Sequence, residues 1–579
     1  MIYVEGMIRQ SYPALYKKIP SIALRPSIEL LRRLFHEKEV NTFLNKNERL
    51  TGLDFVEAVL EYLDISYKVN QQQLENIPAI GKAIVVANHP LGAADALSLI
   101  KMISDARQDK TVKIVANQML SHIPQLSELL ISVDNINGKL TRQSLQEINS
   151  ALKNEELVIF FPAGEVSRAS FNGIKDNYWK SGFIKIAQRT STPILPIHIN
   201  ARNSSLFYAL SFIYKPISAL LLGHELMSSR KPLEFKVGEI IPHTSFQNTQ
   251  LQPKQYARLF RKHLYRLAKG RKPLLATEQS ISHPVDRQQL RSELKTAENL
   301  GSTTDAKDIY LVDAEEAPTV IKEIGRLREY TFRKVGEGTG TKRDTDKYDE
   351  YYTHLVLWDD EALEIVGAYR IGDCSWIMSW LGKEGLYMNE LCKIDDGLDE
   401  KLDSAIELGR SFVQPKYWGS RALDYLWQGI GAYLSHNPQV RYMYGPVSIS
   451  NSYPKTAKDI LVYFYTNYFK PQESISTSNA SFKANHPYIL SRNTREEFDQ
   501  LFEDQDYPQA FRTLKSYLKG LEVSVPTLYK QYGELCEEGG VNFFDFGVDP
   551  SFNNAIDGYL LVDLSKLKVE KRRRYLIQE

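Results

Sequence analysis

Short apolar runs alternate with amphipathic stretches from Lys82 onward, which is the pattern of strands and helices that follow one another in an α/β fold. The amphipathic stretch 93–106 is predicted to be a helix, and the apolar runs predicted to be strands are 83–87, 112–116, 157–161 and 194–199. Open α/β sheets place their chemistry at the carboxyl ends of such strands. Polar residues that directly follow these runs are therefore the first candidates for a site.

A second alternating pattern begins after about residue 305, and the runs 354–358 and 364–371 within it read as a hairpin. Between 272 and 305 the apolar periodicity fades into a polar stretch, which is typical of a linker. A chain of 579 residues is too long for one hydrophobic core. We therefore expect two α/β domains, the second with a mainly antiparallel sheet. Their predicted bounds are 1–275 and 306–579, with a linker over 276–305.

Hydrophobic residues make up 43% of the chain and charged residues 25%, which is ordinary for folded globular domains. The formal net charge of +1 gives no overall field that would recruit nucleic acid, so no nucleic-acid partner is expected. One local segment, 566–574, is basic and carries apolar residues among its lysines and arginines. This mixture suits an anionic lipid surface, and a solvated terminal segment is the alternative.

The three cysteines, Cys374, Cys392 and Cys536, are far apart in sequence, so neither a disulfide framework nor a metal site is predicted. The N-terminus does not read as a secretory signal. The stretch 206–222 is the best candidate for a membrane span, but Lys215-Pro216 interrupts it. We expect a cytoplasmic protein associated peripherally with the inner face of the cytoplasmic membrane, with the lipid surface as a partner.

The first candidate site follows the run 83–87 and reads Asn88-His89-Pro90-Leu91-Gly92-Ala93-Ala94-Asp95. An imidazole can deprotonate a hydroxyl when a carboxylate accepts its other ring N–H and so fixes the tautomer. His89 is therefore the candidate base and Asp95 its candidate partner. The alternative for a single histidine beside a turn is a capping or packing role.

A second motif follows the run 157–161 and reads Pro162-Ala163-Gly164-Glu165-Val166-Ser167-Arg168. Gly164 permits close backbone approach, and Glu165 and Arg168 suit the orientation of a polar or phosphorylated head group. A third motif, Thr192-Pro193-Ile194-Leu195-Pro196, supplies another strand bracketed by prolines.

In content and order these three motifs resemble the lysophosphatidic-acid acyltransferase superfamily. The resemblance implies that His89 is the general base and Asp95 its partner, with substrate binding by Asn88, Gly164, Glu165 and Arg168. Two features depart from the usual pattern: one extra residue separates His89 from Asp95, and Val-Ser-Arg follows Glu165 where phosphate-acceptor enzymes have Thr-Arg-Ser. This longer form is similar to the branch that makes amino-acid lipids and to its haemolysin-like relatives.

The second candidate site lies beyond residue 305 and combines carboxylates with arginines. Carboxylates bind an ammonium and guanidinium groups bind a carboxylate bidentately, so such a set can hold a zwitterion. An amine becomes a nucleophile only after losing a proton, and Glu407 is the candidate base. The candidate substrate-binding residues are Asp346, Asp349, Arg370 and Arg410. Surface ion pairs beside a hairpin are the alternative for any one of them.

The pattern Asp-x-Tyr-Asp, Gly-x-Tyr-Arg and Glu-x-x-Arg formed by these residues resembles the acyl-homoserine-lactone synthases and the ornithine N-acyltransferases, which have the GNAT fold. The resemblance implies an acyl group donated by acyl carrier protein, and it gives the substrate and base roles to the same five residues. The turn 413–420 takes the place of the pyrophosphate-binding turn, and the start of the following helix, predicted over 421–435, can hold a pantetheine phosphate.

Joined in one chain, the two patterns resemble the bifunctional ornithine-lipid synthase family. That resemblance implies that the second domain transfers a 3-hydroxyacyl group to the α-amine of ornithine and that the first domain esterifies the new hydroxyl, with no cofactor and no metal. Glycine lipid is the alternative product, and a free carboxylate from Glu350 or Glu390 would favour ornithine. An alternative of another class is a haemolysin-like membrane-binding protein without transferase activity.

Overall fold

The computed structural model describes residues 36–117, 123–133, 140–170, 173–204, 232–247, 251–471 and 481–576, together with a few isolated positions. The chain divides into two compact units, Met1–His283 and Pro284–Glu579. The division falls within the segment 276–305, predicted as a linker, but the second half of that segment is regular structure. It contains the helix Arg287–Leu294, whose two buried leucines pack into the core of the second unit. Because only two of its side chains are buried, the helix looks like a polar linker in the sequence.

The first unit contains nine strands and seven helices among the described residues. In chain order they are α1 (Glu37–Lys46), α2 (Gly52–Tyr62), β1 (Tyr67–Val69), α3 (Gln71–Leu74), β2 (Ala83–Ala87), α4 (Ala93–Ala106), β3 (Val112–Asn117), β4 (Leu130–Val133), α5 (Arg142–Lys153), β5 (Leu157–Phe160), β6 (Arg168–Ser170), β7 (Gly173–Lys175), α6 (Gly182–Thr190), β8 (Ile194–Asn200), β9 (Leu233–Val237) and α7 (Pro253–Leu267).

A seven-stranded sheet of order β1-β9-β8-β2-β5-β3-β4 forms the middle of this unit. Its neighbouring strands are parallel except for β8 and β9. β2 and β5 are buried along their whole length, which explains their continuous apolar sequence. The four strands and the helix 93–106 predicted from the sequence are confirmed, with ends that differ by at most one residue.

Helices cover both faces of the sheet. Alternate residues of β2 accordingly pack into two separate hydrophobic cores. α2 and α4 contribute Phe55 and Leu99 to one core, and α5, α6 and α7 contribute Ile148, Phe183 and Phe260 to the other. Since β2 and β5 are adjacent and parallel, the chain leaves both strands at the same edge of the sheet. The loops that carry the first two sequence motifs therefore meet at this edge.

The described elements of the second unit continue the numbering. They are α8 (Arg287–Leu294), β10 (Glu298–Ser302), β11 (Asp308–Val312), α9 (Pro318–Lys334), β12 (Thr353–Asp359), β13 (Glu364–Asp373), α10 (Cys374–Leu381), α11 (Met388–Leu391), β14 (Cys392–Ile394), α12 (Asp399–Leu402), β15 (Ala405–Val413), α13 (Ala422–His436), β16 (Tyr442–Ile449), α14 (Lys455–Tyr468), β17 (Phe482–Ala484), α15 (Arg492–Leu501), α16 (Tyr507–Gly520), α17 (Thr527–Gly533), β18 (Val541–Asp549), β19 (Ala555–Asp563) and α18 (Val569–Tyr575).

An eight-stranded sheet of order β10-β11-β12-β13-β15-β16-β19-β18 runs through the second unit. Neighbouring strands are antiparallel except for β15 and β16, so the predicted mainly antiparallel sheet is confirmed. The predicted hairpin is formed by β12 and β13, and the helix predicted over 421–435 is α13.

β15 and β16 separate after a short stretch of pairing. The ladder joins only Ala405–Glu407 to Tyr442–Tyr444, although the strands continue to Val413 and Ile449. At Gly445 a Cβ would lie 2.1 Å from the carbonyl oxygen of Leu408, so this close approach requires glycine. Beyond this point the two central strands are no longer paired, and we call the unpaired region between them the wedge.

Three features predicted from the sequence do not concern the two sheets: the candidate membrane segment, the basic segment and the free cysteines. The stretch 206–222 lies outside the described residues apart from Phe207 and Tyr208. Across the described part of the chain, no helix combines the length and the apolar character that crossing a bilayer requires. The basic segment 566–574 includes most of α18, which packs against α13 through Tyr575. All three cysteines are buried and free.

Candidate active sites

His89 lies two residues beyond the end of β2, and its ring stacks on Phe161 with 4.0 Å between the ring centroids. Its Nδ1 lies 3.3 Å from Oδ2 of Asp95, within ion-pair range but not aligned as a hydrogen bond. A small rotation of the ring would align the two groups, as substrate binding often does. Because Nδ1 faces the carboxylate, Nε2 is the nitrogen that can take a proton from a substrate. The His89 side chain is 19% exposed, which gives a substrate access to it.

Asp95 is fully buried in the first turn of α4, where the main chain fixes its orientation. Its Oδ2 accepts hydrogen bonds from the backbone N–H groups of Leu91 and Gly92, at 2.7 and 3.1 Å. The start of a helix also stabilises a negative charge. Gly92 has φ 93°, a conformation that glycine adopts without strain. One turn thus brings the predicted base and its predicted partner together.

Asp176, which the sequence did not single out, connects this turn to the second motif. Its Oδ1 accepts hydrogen bonds from the backbone N–H of His89 at 3.3 Å and from the hydroxyl of Ser167 at 2.5 Å, and its Oδ2 accepts one from the indole N–H of Trp179 at 2.9 Å. The backbone N–H of Ser167 also donates to the carbonyl of His89, at 2.7 Å. Burial raises the pKa of Asp176, and the three hydrogen bonds oppose that rise. The Asp176 carboxylate therefore fixes the positions of the two loops relative to each other.

Asn88 uses both polar groups of its side chain within the fold. The amide nitrogen donates to the carbonyl of Ile199 at 2.9 Å, and the amide oxygen accepts from the N–H of Ile199 at 2.8 Å. The residue is buried. The structure therefore gives Asn88 a positioning role between β2 and β8, and its substrate contact stays a prediction.

The loop of Gly164, Glu165 and Arg168 lies at the rim of the same site. Arg168 Nη2 is 3.1 Å from Oε2 of Glu165, and their side chains are 22% and 37% exposed. Asn177 donates to the other oxygen of Glu165. Gly164 is exposed, and a Cβ there would lie 3.2 Å from the ammonium of Lys180. The loop therefore offers partly exposed cations to a polar head group.

In the second unit the predicted residues form one connected cluster. Arg370 donates to Asp346 at 2.5 Å and to Asp349 at 3.2 Å. Arg410 Nη2 lies 3.6 Å from Asp346, and Arg410 Nη1 donates to the hydroxyl of Tyr387 at 2.9 Å. Nε of Arg410 also lies 3.2 Å from Asp344, so the aspartates of this cluster are all paired with arginines. They are therefore not free to hold a substrate ammonium by themselves.

Arg328 of α9, also missed in the sequence, completes the support of Asp349. It is fully buried and donates to Asp349 at 2.7 Å. Burial alone would raise the pKa of Asp349, but Arg328 and Arg370 outweigh it and hold the pKa well below its usual range. In the part of the chain that the structure describes, Nη2 of Arg370 is buried and has no hydrogen-bond acceptor. This nitrogen remains as a donor for a substrate carboxylate.

Glu407 is buried beneath this cluster with both carboxylate oxygens hydrogen-bonded. Oε2 accepts from the hydroxyl of Tyr352 at 2.6 Å and from the N–H of Tyr387 at 3.1 Å, and Oε1 accepts from the N–H of Met388 at 2.7 Å. Burial raises the pKa of Glu407, while the hydrogen bonds from Tyr352 and Met388 oppose the rise. A buried carboxylate with a raised pKa suits proton transfer. It also fixes the turn that places Tyr387 against Arg410.

β15 bulges where it carries Arg410. Its register with β13 shifts between Ala368 and Arg370, so two residues of β15 face one of β13. Arg410 adopts φ 50°, and a non-glycine residue in that region costs about 1–3 kcal/mol. The bulge brings its guanidinium over the rings of Tyr387 and Phe552, at 4.8 and 5.3 Å. Bulges of this kind re-aim side chains next to active sites.

Three further carboxylates lie in the region of the wedge between β15 and β16. Asp557 of β19 pairs with Ser448 of β16, and both Asp557 and Asp549 are buried. Burial, together with Asp549 and Glu337, raises the pKa of Asp557, and Arg410 opposes that rise. Burial also raises the pKa of Glu337 to about 7, against the effects of Ser448 and Arg410. The arginines therefore share the cleft with carboxyl groups whose pKa values are raised.

The two carboxylates considered for a second ammonium site are both exposed. Glu350 is exposed, and Glu390 is an exposed residue 3.1 Å from Lys347. Sequence reasoning missed Asp176, Arg328 and Asp557 because each lies far along the chain from the group that it supports. An available signal was a charged residue inside an apolar strand, as at Asp557 between Ile556 and Gly558.

Each unit of the chain matches a known family model. Residues 7–270 match the family model described as acyltransferase, and residues 327–428 match the one described as acetyltransferase (GNAT) domain. The fold and the sites define an acyltransferase with two transferase units.

Individual relatives show more specifically which family of acyltransferases the chain belongs to. The chain is 30% identical over 311 residues to the glycine N(alpha)-acyltransferase of Bacteroides thetaiotaomicron, covering 52% of this chain and 90% of that protein. It is 31% identical over 274 residues to the lyso-glycine lipid O-acyltransferase of Phocaeicola vulgatus, covering 46% and 95%. Identity to the L-ornithine N(alpha)-acyltransferase of Brucella abortus is 30% over 157 residues, covering 25% and 54%. The chain belongs to this family of amino-acid-lipid acyltransferases and joins both kinds in one polypeptide.

Proposed function

We propose that the chain makes an amino-acid lipid from a small amino acid and two acyl thioesters. The second unit acylates the amine with a 3-hydroxyacyl group, and the first unit acylates the new 3-hydroxyl. The observation that carries the proposal is the pairing, in one chain, of a His89–Asp95 site for a hydroxyl with a buried arginine and carboxylate cleft for a zwitterion.

In the second unit the free groups define how an amino acid would bind. Its carboxylate would take the buried Nη2 of Arg370, next to Arg410. Its ammonium would face Asp557, which is buried and has a raised pKa because of burial, Asp549 and Glu337. An ammonium beside Asp557 would lower that raised pKa and favour the carboxylate form, and Glu407 remains the predicted base. The amine loses one proton before attack and a second as the tetrahedral intermediate collapses. The C–N bond forms, the C–S bond breaks and the carrier thiol leaves with one of the two protons.

In the first unit the acceptor is the hydroxyl of the N-acylated product. Nε2 of His89 would take the hydroxyl proton while the oxygen attacks a second thioester, and Asp95 would stabilise the imidazolium that forms. The C–O bond forms, the C–S bond breaks and the proton returns from the imidazolium to the thiolate. Arg168 and Lys180, at the rim, would hold the carboxylate of the amino-acid head group.

Two head groups have separate support. Glycine is favoured by the relatives. The matches to two proteins named for glycine or glycine lipid cover 90% and 95% of their length, whereas the match to the protein named for ornithine covers 54%. Ornithine is favoured by the excess of carboxylates, since Asp549 and Glu337 lie near Asp557 and could meet a second ammonium. Glu350 and Glu390, first considered for that role, are exposed.

Membrane association belongs to the same proposal, because both products carry acyl chains. α10 presents Trp376 and Trp380, which are 47% and 75% exposed, beside the 49% exposed Leu381. Exposed tryptophans on a short apolar helix suit the membrane–water interface. Replacing both tryptophans by serine should release the protein from phospholipid vesicles in a sedimentation assay, and unchanged binding would contradict this part of the proposal.

The direct test uses the purified chain with a 3-hydroxyacyl thioester of acyl carrier protein and either glycine or ornithine. Mass spectrometry should show an N-acylated amino acid, and release of free carrier thiol should match its amount. Addition of a second acyl thioester should then convert it to the diacyl product in wild type and not in His89→Ala. Absence of any N-acylated product with both amino acids would refute the proposal.

A further inference from the structure

The loop that follows α9 is fixed by hydrogen bonds on both sides of Glu337. On the side nearer α9, the carbonyl of Val335 accepts from the hydroxyl of Ser450 at 2.5 Å, and the carbonyl of Gly336 accepts from the side-chain amide of Asn553 at 2.8 Å. Ser450 directly follows β16, and Asn553 lies between β18 and β19. These bonds attach the start of the loop to the strands on one side of the wedge.

The other side of Glu337 is held by Glu329, a fully buried residue of α9. Oε2 of Glu329 accepts from the backbone N–H and the hydroxyl of Thr339, at 3.0 and 2.9 Å. Oε1 accepts from the N–H of Gly340 at 2.8 Å and from Nε of Arg333 at 2.6 Å. Because the loop is anchored before and after it, the fold sets the position of Glu337.

Glu337 lies among the groups that border the wedge. Its carboxyl group interacts with the side chain of Ser448 and with the guanidinium of Arg410. Ser448 is opposite Asp557 in the ladder between β16 and β19, so these two side chains share one face of the sheet, and Asp557 also interacts with Glu337. Glu337 is partly exposed, and burial of the rest of its side chain raises its pKa to about 7. A pKa near the working pH suits a group that takes up and then releases a proton.

N-acylation by a thioester removes two protons from the amine, and Glu407 is the predicted acceptor of the first. A carboxylate holds one proton at a time, and both oxygens of Glu407 already accept hydrogen bonds from fixed donors. After attack the nitrogen is positively charged, and the intermediate returns to the free amine unless that nitrogen loses its second proton. The sulfur, by contrast, has to gain a proton, because an ordinary thiol has a pKa of about 8.5. A second acid–base group is therefore required between the nitrogen and the sulfur.

We propose that Glu337 carries this second proton from the nitrogen of the tetrahedral intermediate to the sulfur of the leaving thiolate. The inference rests on the proposed function and adds a catalytic residue to that same site. The Glu337 carboxylate takes the N–H proton, the carbonyl re-forms as the C–S bond breaks, and the carboxyl group gives the proton to the sulfur. Glu337 thus ends the cycle as the carboxylate that began it. The location fits, since Arg410 lies next to the proposed amino-acid site and Ser448 is on the part of β16 that no longer pairs with β15.

The test compares two leaving groups with Glu337→Gln, which keeps the size of the side chain and cannot take up the proton. With a 3-hydroxyacyl thioester of acyl carrier protein, kcat for N-acylation should fall about 100-fold, the lower end of what a positioned acid–base group contributes. With the same acyl group on p-nitrothiophenol, whose thiolate leaves without a proton, kcat should fall less than about fivefold once the uncatalysed reaction is subtracted. Glu337→Asp should recover part of the rate with the carrier donor.

A control variant and the folding check use the same preparation. Glu361→Gln makes the same chemical change at an exposed glutamate in the turn between β12 and β13, and it should leave both donors unaffected. A thermal midpoint of Glu337→Gln no lower than that of wild type, together with its retained rate on the p-nitrothiophenol donor, shows that the variant is folded.

The outcomes separate this inference from the proposed function. Equal losses of kcat with the two donors, or no loss with the carrier donor, would overturn the proton role of Glu337 and leave the proposed function intact. A higher KM for the amino acid at unchanged kcat would make Glu337 a head-group contact and would overturn the proton role as well. If wild type made no N-acylated product from either donor with glycine or ornithine, the proposed function itself would fail, and this inference with it.

Discussion

Replacing Asp95 by asparagine tests the arrangement around His89 without removing the imidazole. Oδ2 of Asp95 lies 3.3 Å from Nδ1 of His89 and accepts two backbone N–H groups. The amide oxygen of asparagine can still accept those two hydrogen bonds, so the turn should keep its shape. The change removes the charge that would stabilise the imidazolium during acyl transfer.

The size of the effect follows from this geometry. A hydrogen bond to a charged group contributes about 1.5–3 kcal/mol, which corresponds to a fall in kcat of roughly 10- to 150-fold for O-acylation. Asp95→Leu would also leave two N–H groups without an acceptor, at about 1–3 kcal/mol each, and should therefore lower the thermal midpoint as well. Asp95→Asn should change the rate and leave the midpoint nearly unchanged.

The assay supplies a synthetic N-(3-hydroxyacyl) amino acid and an acyl thioester, and it measures the diacyl product by mass spectrometry. N-acylation by the same preparation serves as an internal control, because that reaction takes place in the other unit. If Asp95→Asn kept kcat for O-acylation within twofold of wild type, the carboxylate would have no electrostatic role and the reasoning would fail.

Three other substitutions probe the remaining parts of the two sites. Asp176→Asn should lower kcat/KM for O-acylation about tenfold, because it weakens the link between the His89 turn and Ser167. Asp176→Glu should restore part of the rate. Equal loss in both variants would argue against a role for the carboxylate. Asp557→Asn should raise KM for the amino acid in N-acylation while O-acylation of a supplied lyso-lipid stays unchanged; an unaltered KM would remove Asp557 from the ammonium site. Glu337 has its pKa raised from 4.5 to about 7, so its contribution to folding stability is fully present below about 4.5 and is lost as pH rises through about 7. Glu337→Gln should therefore raise the urea midpoint at pH 8 more than at pH 5, and a shift that is the same at both values would contradict the assignment.

Much of the fold could be predicted because the alternation of apolar and polar residues, and the turn residues that end each element, are local features of the sequence. β2 is a run of apolar residues that ends at Ala87, and α4 begins after a short turn with Asp95 in its first turn. The distance between His89 and Asp95 is set by that single turn, so neighbouring residues in the sequence are enough to indicate it. The GNAT sheet was likewise indicated by the hairpin of β12 and β13 and by residues within those strands.

The contacts that could not be predicted from the sequence depend on how strands and loops that are distant in the chain meet. Asp176 reaches His89 across 87 positions of the chain, through a loop without regular periodicity. Asp557 joins the cleft only because β19 pairs with β16, which places it opposite Ser448. The hydrogen bonds of Asn88 within the fold were not predicted for a related reason, since its amide meets Ile199 of a strand more than a hundred residues away. The folded part of the predicted linker was hidden because α8 buries only two residues.

The central claim is that two acyl transfers in sequence are performed by the two units of one chain. Polar lipids extracted from a host without amino-acid lipids, after expression of wild type, His89→Ala and Glu407→Ala, test it most directly by mass spectrometry. Wild type should yield the diacylated amino acid, His89→Ala should accumulate the N-acylated lyso-lipid, and Glu407→Ala should yield neither. Diacyl lipid formed by His89→Ala in wild-type amounts would contradict the claim.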